Sequence, residues 1–281
     1  MRSLFLSFRR RLFSALFLVL LTASFIVWSQ PVQAFSVWEL LFRGLQVVQI
    51  SNLSANQEVK LGAKINEQLI KSRQIRLNRN RALNGYIVAI GERLISASDR
   101  PEIPYRFQVV DDENINAFAT MGGFVYVNTG LIAAADNEAE LAGVIAHEIG
   151  HIAGRHAIEQ LRDRAIAAGL LSAAGLDTNQ AVQIGVELAV SRPSSREDEL
   201  EADLQGLKML YRTGYAPGGM LTFFDKLLAN GSQPPSFLST HPATNERLQT
   251  ISRRLQAENI DPFQGDGLDA RKYQQRLERV R

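Results

Sequence analysis

The chain has 281 residues, of which 46% are hydrophobic and 21% are charged. These values predict a globular protein with one sizeable core rather than a disordered or fibrous chain. The chain has no cysteine, which excludes disulfides, thiolate metal sites, cysteine nucleophiles and lipid anchoring through an N-terminal cysteine. Basic and acidic residues number 31 and 29, so the charge balance gives no reason to expect a nucleic acid partner.

Residues 1–34 are typical of a secretory signal peptide. Four arginines and no acids surround the start of an apolar run at 12–28, and residues 32–34 have the small side chains of a cleavage site. We therefore expect an exported chain of residues 35–281, in the periplasm or another extracytoplasmic space. The alternative is that the apolar run stays as a membrane anchor. The apolar segment 35–50 could pack on the domain or lie on a membrane surface.

Two helices and three strands are predicted before residue 129. Ser54 and Gln57 form a capping box at the start of a helix that runs to about Lys71, and a second helix is predicted over Asn78–Ser96. Strands are predicted at 105–110, 116–119 and 124–127 from β propensity and glycine turns. The last strand is the candidate edge to which an extended peptide could add, with an interior strand as the alternative. Its residues are Phe124, Val125, Tyr126, Val127 and Asn128.

A helix over 137–158 carries the strongest chemical signal, the HExxH pattern of His147, Glu148 and His151. Positions four apart share one helix face, so two imidazoles can hold one metal ion and the glutamate can reach a metal-bound water. His156 lies nine residues after His147, about half a turn round the helix. We therefore expect His156 to face away and to be structural.

The third metal ligand is predicted in the second half of the chain. A zinc site of this kind needs three protein ligands, so the third is His241 or a carboxylate. The acidic helix 196–213 offers two pairs four residues apart: Glu197 with Glu201, and Glu199 with Asp203. An aspartate one turn after a glutamate ligand could accept the second ring N–H of a ligand histidine. Spacing alone does not choose between the pairs, and a solvated acidic face is the alternative.

The remaining segments complete a single predicted domain. The apolar, alanine-rich stretches within 159–195 could form two packed helices or a flap over the site. Helices are predicted over 218–229 and 240–258, and a basic tail at 266–281 is either a helix or disordered. No repeat or linker divides the chain, so we expect one domain over 35–281 with its core at about 54–258.

Four segments resemble, in this order, the zinc endopeptidase family that includes HtpX and the CAAX prenyl endopeptidase: AHEIGHIAGRH, SREDELEADLQGLKML, YRTGYAPGGM and LSTHPATNERL. The resemblance covers about residues 105–255 and is greatest to the soluble periplasmic branch concerned with protein quality control. It implies an α+β, mostly α-helical fold: a zincin-like domain of the gluzincin type, with a small antiparallel sheet beside the HExxH helix.

The resemblance also implies a set of site residues. The family pattern SRxxExxAD makes Glu199 the third zinc ligand and Asp203 its supporting neighbour, which leaves Glu201 without a role. The family's HP motif falls on His241, which is expected to stabilise the oxyanion or to approach the metal as a blocking fourth ligand. Arg247 is expected to orient the site through a carboxylate.

The implied function is that of an exported endopeptidase with one Zn²⁺ per chain that cleaves unfolded or misassembled proteins bound in extended conformation. Zinc would activate a water molecule, and Glu148 would take the proton as general base. The alternative is a latent, zinc-stabilised chaperone or scaffold that binds client proteins without cleaving them. A purely structural zinc site has no need of an acid at Glu148, which favours the enzyme.

Overall fold

The computed structural model describes residues 53–170, 176, 178–191, 194–229, 235–242 and 245–280. The predicted signal peptide 1–34 and the apolar segment 35–50 lie outside the described residues. So does part of the alanine-rich region, at 171–175, 177 and 192–193. The described residues belong to one compact unit.

The part of the chain that is described contains eleven helices and three short strands, so the predicted mostly helical α+β class is confirmed. The helices are α1 (Ala55–Lys71), α2 (Arg81–Ile95), α3 (Thr129–Ala134), α4 (Glu138–Ala153), α5 (His156–Ala167), α6 (Thr178–Ser191), α7 (Arg196–Arg212), α8 (Gly218–Ala229), α9 (Ser236–Thr240), α10 (Asn245–Ala257) and α11 (Ala270–Val280). The strands are β1 (Arg106–Val110), β2 (Ala117–Thr120) and β3 (Phe124–Asn128). None of the helices in the described ranges combines the length and hydropathy that a membrane span requires.

The sheet differs from the predicted one in two ways. Its order is β1-β3-β2, with β3 parallel to β1 and antiparallel to β2, so the sheet is mixed rather than antiparallel. The predicted edge strand, Phe124–Asn128, is the central strand, and all five of its residues are buried. A strand that is buried on both faces has a continuous apolar sequence, and FVYV fits that pattern. The edge next to α4 is β2.

Helix α4 is the centre of the core. Every residue from Ala139 to Ile152 is buried, as expected for a helix that is apolar on all sides. It packs against α7 and α8. The approach to α7 requires glycine, because a Cβ on Gly150 would lie 2.5 Å from the carbonyl oxygen of Ala202. The helix with the HExxH residues and the acidic helix are therefore held in direct contact.

Local sequence signals set several helix ends. The predicted capping box between Ser54 and Gln57 is present at the start of α1, whereas α2 begins later than predicted because Asn80 is its N-cap. The helix predicted over 240–258 is divided, since Thr240 ends α9 and α10 begins at Asn245. The basic tail forms α11, which adds buried Tyr273 and Leu277 to the same core.

Candidate active site

Four buried side chains from three segments meet at one point: His147, His151, Glu199 and His241. The first two project from α4, Glu199 lies in the first turn of α7, and His241 follows α9. The two Nε2 atoms of His147 and His151 are 3.0 Å apart. Nδ1 of His241 lies 3.3 Å from Nε2 of His147 and 3.2 Å from Nε2 of His151.

Glu199 closes this cluster. Its Oε1 lies 3.0 Å from Nδ1 of His241 and 3.3 Å from Nε2 of His151, and its Oε2 lies 3.4 Å from Nε2 of His147. Donor atoms about 2.0–2.2 Å from a tetrahedral zinc ion are separated by about 3.3 Å. The donor set and its spacing therefore fit zinc, with both histidines of α4 and Glu199 as ligands and His241 at the fourth corner.

A second layer of contacts holds His147. Its Nδ1 lies 2.9 Å from Oδ1 of Asp203, which leaves Nε2 free to face the cluster. Arg247 donates from Nε and Nη2 to the two oxygens of Asp203, at 2.7 Å each. The Nη1 of Arg247 also lies 2.7 Å from Oε2 of Glu199. These contacts fix the ring orientation of the ligand and retain the charge of both carboxylates.

Glu148 lies beside the cluster without a hydrogen bond. It is fully buried, and neither of its carboxylate oxygens has a hydrogen-bond partner among the described residues. The nearest ring nitrogen is Nε2 of His241, 3.4 Å from Oε1. A buried carboxylate without partners is costly, so its position beside the cluster is typical of a functional rather than a structural group.

The pKa values of the three buried carboxylates of the site shift in different directions. Burial raises the pKa of Glu148, which suits a general base better than an ordinary glutamate. Burial would also raise the pKa of Glu199, but the interactions with His241, His147 and His151 outweigh it and lower that pKa. The pKa of Asp203 is likewise lowered, because hydrogen bonds from Arg247 and His147 outweigh its burial.

The two histidines of α4 also differ in pKa. Burial alone would lower the pKa of His147, but hydrogen bonds to Asp203 and Glu199 raise it to about 9. Burial lowers the pKa of His151 to about 4. His241 also has a lowered pKa, and burial is again the largest cause. Of the two histidines of α4, His147 has a carboxylate on the ring nitrogen that faces away from the cluster, whereas His151 does not.

The prediction that His156 faces away from the site is wrong. The helix predicted over 137–158 breaks after Ala153, and Arg155 has a left-handed backbone with φ of 60°. The chain therefore turns back, and the buried His156 ring lies with its Nδ1 2.8 Å from Nδ1 of His151. Its Nε2 lies 3.4 Å from Oε2 of Glu201, a residue expected to have no role. The glycine at position 154, a common helix-ending residue, was the available signal.

Three segments line a cleft beside the cluster. One is β2 with the residue that follows it (118–121), another is the start of α5, and the third is the end of α6 near Leu188. Both Glu148 and His151 open onto this cleft. The sequence predicted the adjacent strand β3 as the substrate edge. The strand on the cleft is β2, and among the described residues no strand pairs with its outer side.

Fold and site together are those of a metalloprotein in which an HExxH helix, a downstream glutamate and a further histidine could hold the metal ion. The family model for peptidase family M48 matches residues 81–255, a range that contains every residue of the cluster. The chain belongs to peptidase family M48, and its metal is zinc.

Curated relatives share most of this chain. The beta-barrel assembly-enhancing protease of Escherichia coli (strain K12) is 34% identical over 221 residues, which cover 73% of this chain and 45% of that protein. Metalloprotease LoiP of the same strain is 35% identical over 168 residues, covering 56% of this chain and 65% of the relative. Mitochondrial metalloendopeptidase OMA1 of Schizosaccharomyces pombe is 31% identical over 176 residues, which cover 60% of this chain and 52% of the relative. The chain thus spans about half the length of the first of these relatives.

Proposed function

We propose that this chain is an exported, zinc-dependent endopeptidase that hydrolyses peptide bonds of unfolded or misassembled proteins. The observation that carries the proposal is the Glu148 carboxylate, which is buried beside three zinc ligands without a hydrogen bond of its own. When bound, zinc supplies Lewis-acid chemistry, because it polarises a carbonyl and acidifies a water molecule. The ligands from this chain are His147, His151 and Glu199.

The proton path uses Glu148 alone. Its raised pKa lets it take a proton from the attacking water and return that proton to the leaving amine. The other acids are committed to different contacts, because Asp203 is bound to Arg247 and His147. Arg247 and Asp203 therefore hold the ligands in position and do not exchange protons with substrate.

The substrate lies in the cleft against β2 rather than β3. Asn128 donates its backbone N–H to the carbonyl of Asn116 at 3.0 Å, and hydrogen-bonded and non-hydrogen-bonded pairs alternate along an antiparallel ladder. The backbone groups of Ala117 and Ala119 therefore point away from β3. An extended peptide that adds to this edge would be held through its main chain, which tolerates many sequences. Unfolded proteins present such segments.

We assign His241 a regulatory as well as a catalytic role. Its Nδ1 lies 3.0–3.3 Å from donor atoms of His147, His151 and Glu199, so in this arrangement His241 would hold zinc as a fourth ligand in place of water. Activity requires the His241 ring to move, after which its ring N–H can donate to the oxyanion and stabilise it. This arrangement is the one observation that favours the alternative of a latent scaffold.

We propose the location and the branch from the sequence, with support from the relatives. Residues 1–34 are the signal peptide, and residues 35–281 form one domain in the periplasm or another extracytoplasmic space, with 35–50 available for membrane contact. The relatives named as a beta-barrel assembly-enhancing protease and as LoiP support the soluble quality-control branch over the HtpX and CAAX branches.

The test is digestion of casein, an unfolded substrate, by the zinc-loaded protein and by its His241→Ala variant. We expect slow cleavage by the parent protein and still slower cleavage by the variant, because the variant loses the donor that stabilises the oxyanion. Both activities should be stopped by a chelator and restored by zinc. A compact folded protein of similar size is the control substrate and should stay intact. Casein binding without any cleavage by either protein would support the scaffold and refute the endopeptidase.

A further inference from the structure

The two histidine ligands of α4 are supported by different chemistry. The Nδ1 of His147 meets a carboxylate, that of Asp203, at 2.9 Å. The Nδ1 of His151 meets another imidazole, that of His156, at 2.8 Å. Ligand histidines normally donate their second ring N–H to a carboxylate, a carbonyl or a water, so the imidazole partner of His151 requires an explanation.

The backbone is built to bring His156 to this place. Gly154 ends α4, and the left-handed Arg155 reverses the chain so that α5 begins at His156. A Cβ on Gly154 would lie 2.3 Å from Nε2 of His156, so only glycine leaves room for the ring. The His156 ring is 2% exposed. The contact is therefore a fixed part of the site and not a chance encounter of surface side chains.

The hydrogen bonds determine which ring nitrogens of His151 and His156 carry a hydrogen. The Nε2 of His151 faces the other donors and must keep its lone pair to bind a metal ion. Its Nδ1 then carries the hydrogen and donates to Nδ1 of His156, which accepts. His156 is left with a hydrogen on Nε2, and that nitrogen lies 3.4 Å from Oε2 of Glu201. Glu201, whose side chain is 53% exposed, forms the outer end of the chain of contacts.

We infer that His156 is a positioning residue for the zinc ligand His151, and that Glu201 in turn holds the tautomer of His156. The inference rests on the proposed function only in taking His151 as a zinc ligand. It gives α7 two contributions to the site, since Glu199 faces the metal and Glu201 supports a ligand from behind. The pair of Glu199 and Asp203 thus contributes directly to the cluster and its support, and from the other pair only Glu201 contributes, through the imidazole of His156.

The test measures the dissociation constant for zinc by chelator competition on the full chain, with three variants. His156→Leu removes the acceptor, whereas His156→Asn places an oxygen at the position of Nδ1 and keeps the first contact. Glu201→Ala removes the outer contact at an exposed position that does not threaten folding. Glu197→Ala is the matched control, because Glu197 is an exposed glutamate in the same helix.

We expect His156→Leu to raise the dissociation constant by about 10–100-fold, the usual effect of losing such a partner. His156→Asn should stay within about threefold of the parent protein, Glu201→Ala should weaken binding by about threefold, and Glu197→Ala should have no effect. Equal weakening by the leucine and asparagine variants would show that the imidazole only fills space, and no weakening by leucine would also overturn the inference.

Two further outcomes keep the inference separable from the proposed function. If His156→Leu does not fold, the pair Glu201→Ala and Glu197→Ala decides, and equal zinc affinity in these two variants overturns the inference. Casein cleavage is read independently. Normal zinc affinity in the parent protein without cleavage would remove the proposed function and leave the role of His156 standing.

Discussion

Replacing Arg247 by methionine tests how the site is held together. The guanidinium is 2% exposed and lies between two buried carboxylates, with two hydrogen bonds of 2.7 Å to Asp203 and a 2.7 Å contact to Glu199. It also donates to the backbone carbonyl of Pro242 at 3.0 Å. Methionine keeps much of the apolar volume but removes the charge. Both carboxylates then stay buried without their cation.

The expected cost in the zinc-free protein is large. Removing one partner of a buried ion pair destabilises a protein by about 3–5 kcal/mol. For a domain of this size, each kcal/mol corresponds to a change in melting temperature of about 2–4 °C. We therefore expect Arg247→Met to melt about 6–20 °C lower than the parent protein after chelator treatment. Zinc affinity should fall as well, because Asp203 and Glu199 lose their common anchor.

The assay is urea and thermal denaturation of the chelator-treated proteins, followed by circular dichroism. Arg253→Met is the matched control, since Arg253 lies in the same helix but is exposed. Its substitution should change the free energy of unfolding by no more than about 0.5 kcal/mol. A loss below about 1 kcal/mol for Arg247→Met, or a loss equal to that of the control, would refute the assigned role.

Three further predictions follow from single contacts. Metal analysis should find zinc lost from Glu199→Gln and retained at one per chain in Glu201→Gln, because the first residue faces the donors; the reverse result would mean that the wrong acidic pair was chosen. Gly154→Ala places a methyl 2.3 Å from a buried ring and should lower stability by about 1–3 kcal/mol. Gly85→Ala is its control: an added Cβ there meets nothing within 4 Å, so this variant should be more stable by about 0.5–1 kcal/mol in the same denaturation assay. Ala119→Pro removes an N–H on the open edge of β2 and should raise KM for casein peptides more than it lowers kcat. An unchanged KM would argue against the binding of substrate to this strand edge.

Local patterns in the sequence predict the parts of the site that lie on one element. His147 and His151 share a helix face because of their spacing, and the capping box at Ser54 requires only a four-residue pattern. Each of these features is decided within one or two helical turns of the residues concerned.

Features that depend on the order of elements in space were harder to predict. The sequence predicts Phe124–Asn128 as the candidate edge strand, with an interior strand as the alternative, and the structure has the alternative, because β1 and β2 flank it. The apolar run FVYV was the available signal for an interior strand. The prediction for His156 is wrong because one left-handed residue, Arg155, follows the end of the helix and reverses the chain. A single αL residue other than glycine has little sequence signal.

The direct measurement of the central claim is the rate of casein cleavage by Glu148→Gln at the same zinc content as the parent protein. The substitution keeps the side-chain shape and breaks no hydrogen bond among the described residues, so folding and zinc binding should be unchanged. We predict that the cleavage rate falls by about 10²–10⁴-fold, the usual contribution of a general base. Cleavage by the variant at the rate of the parent protein would contradict the account.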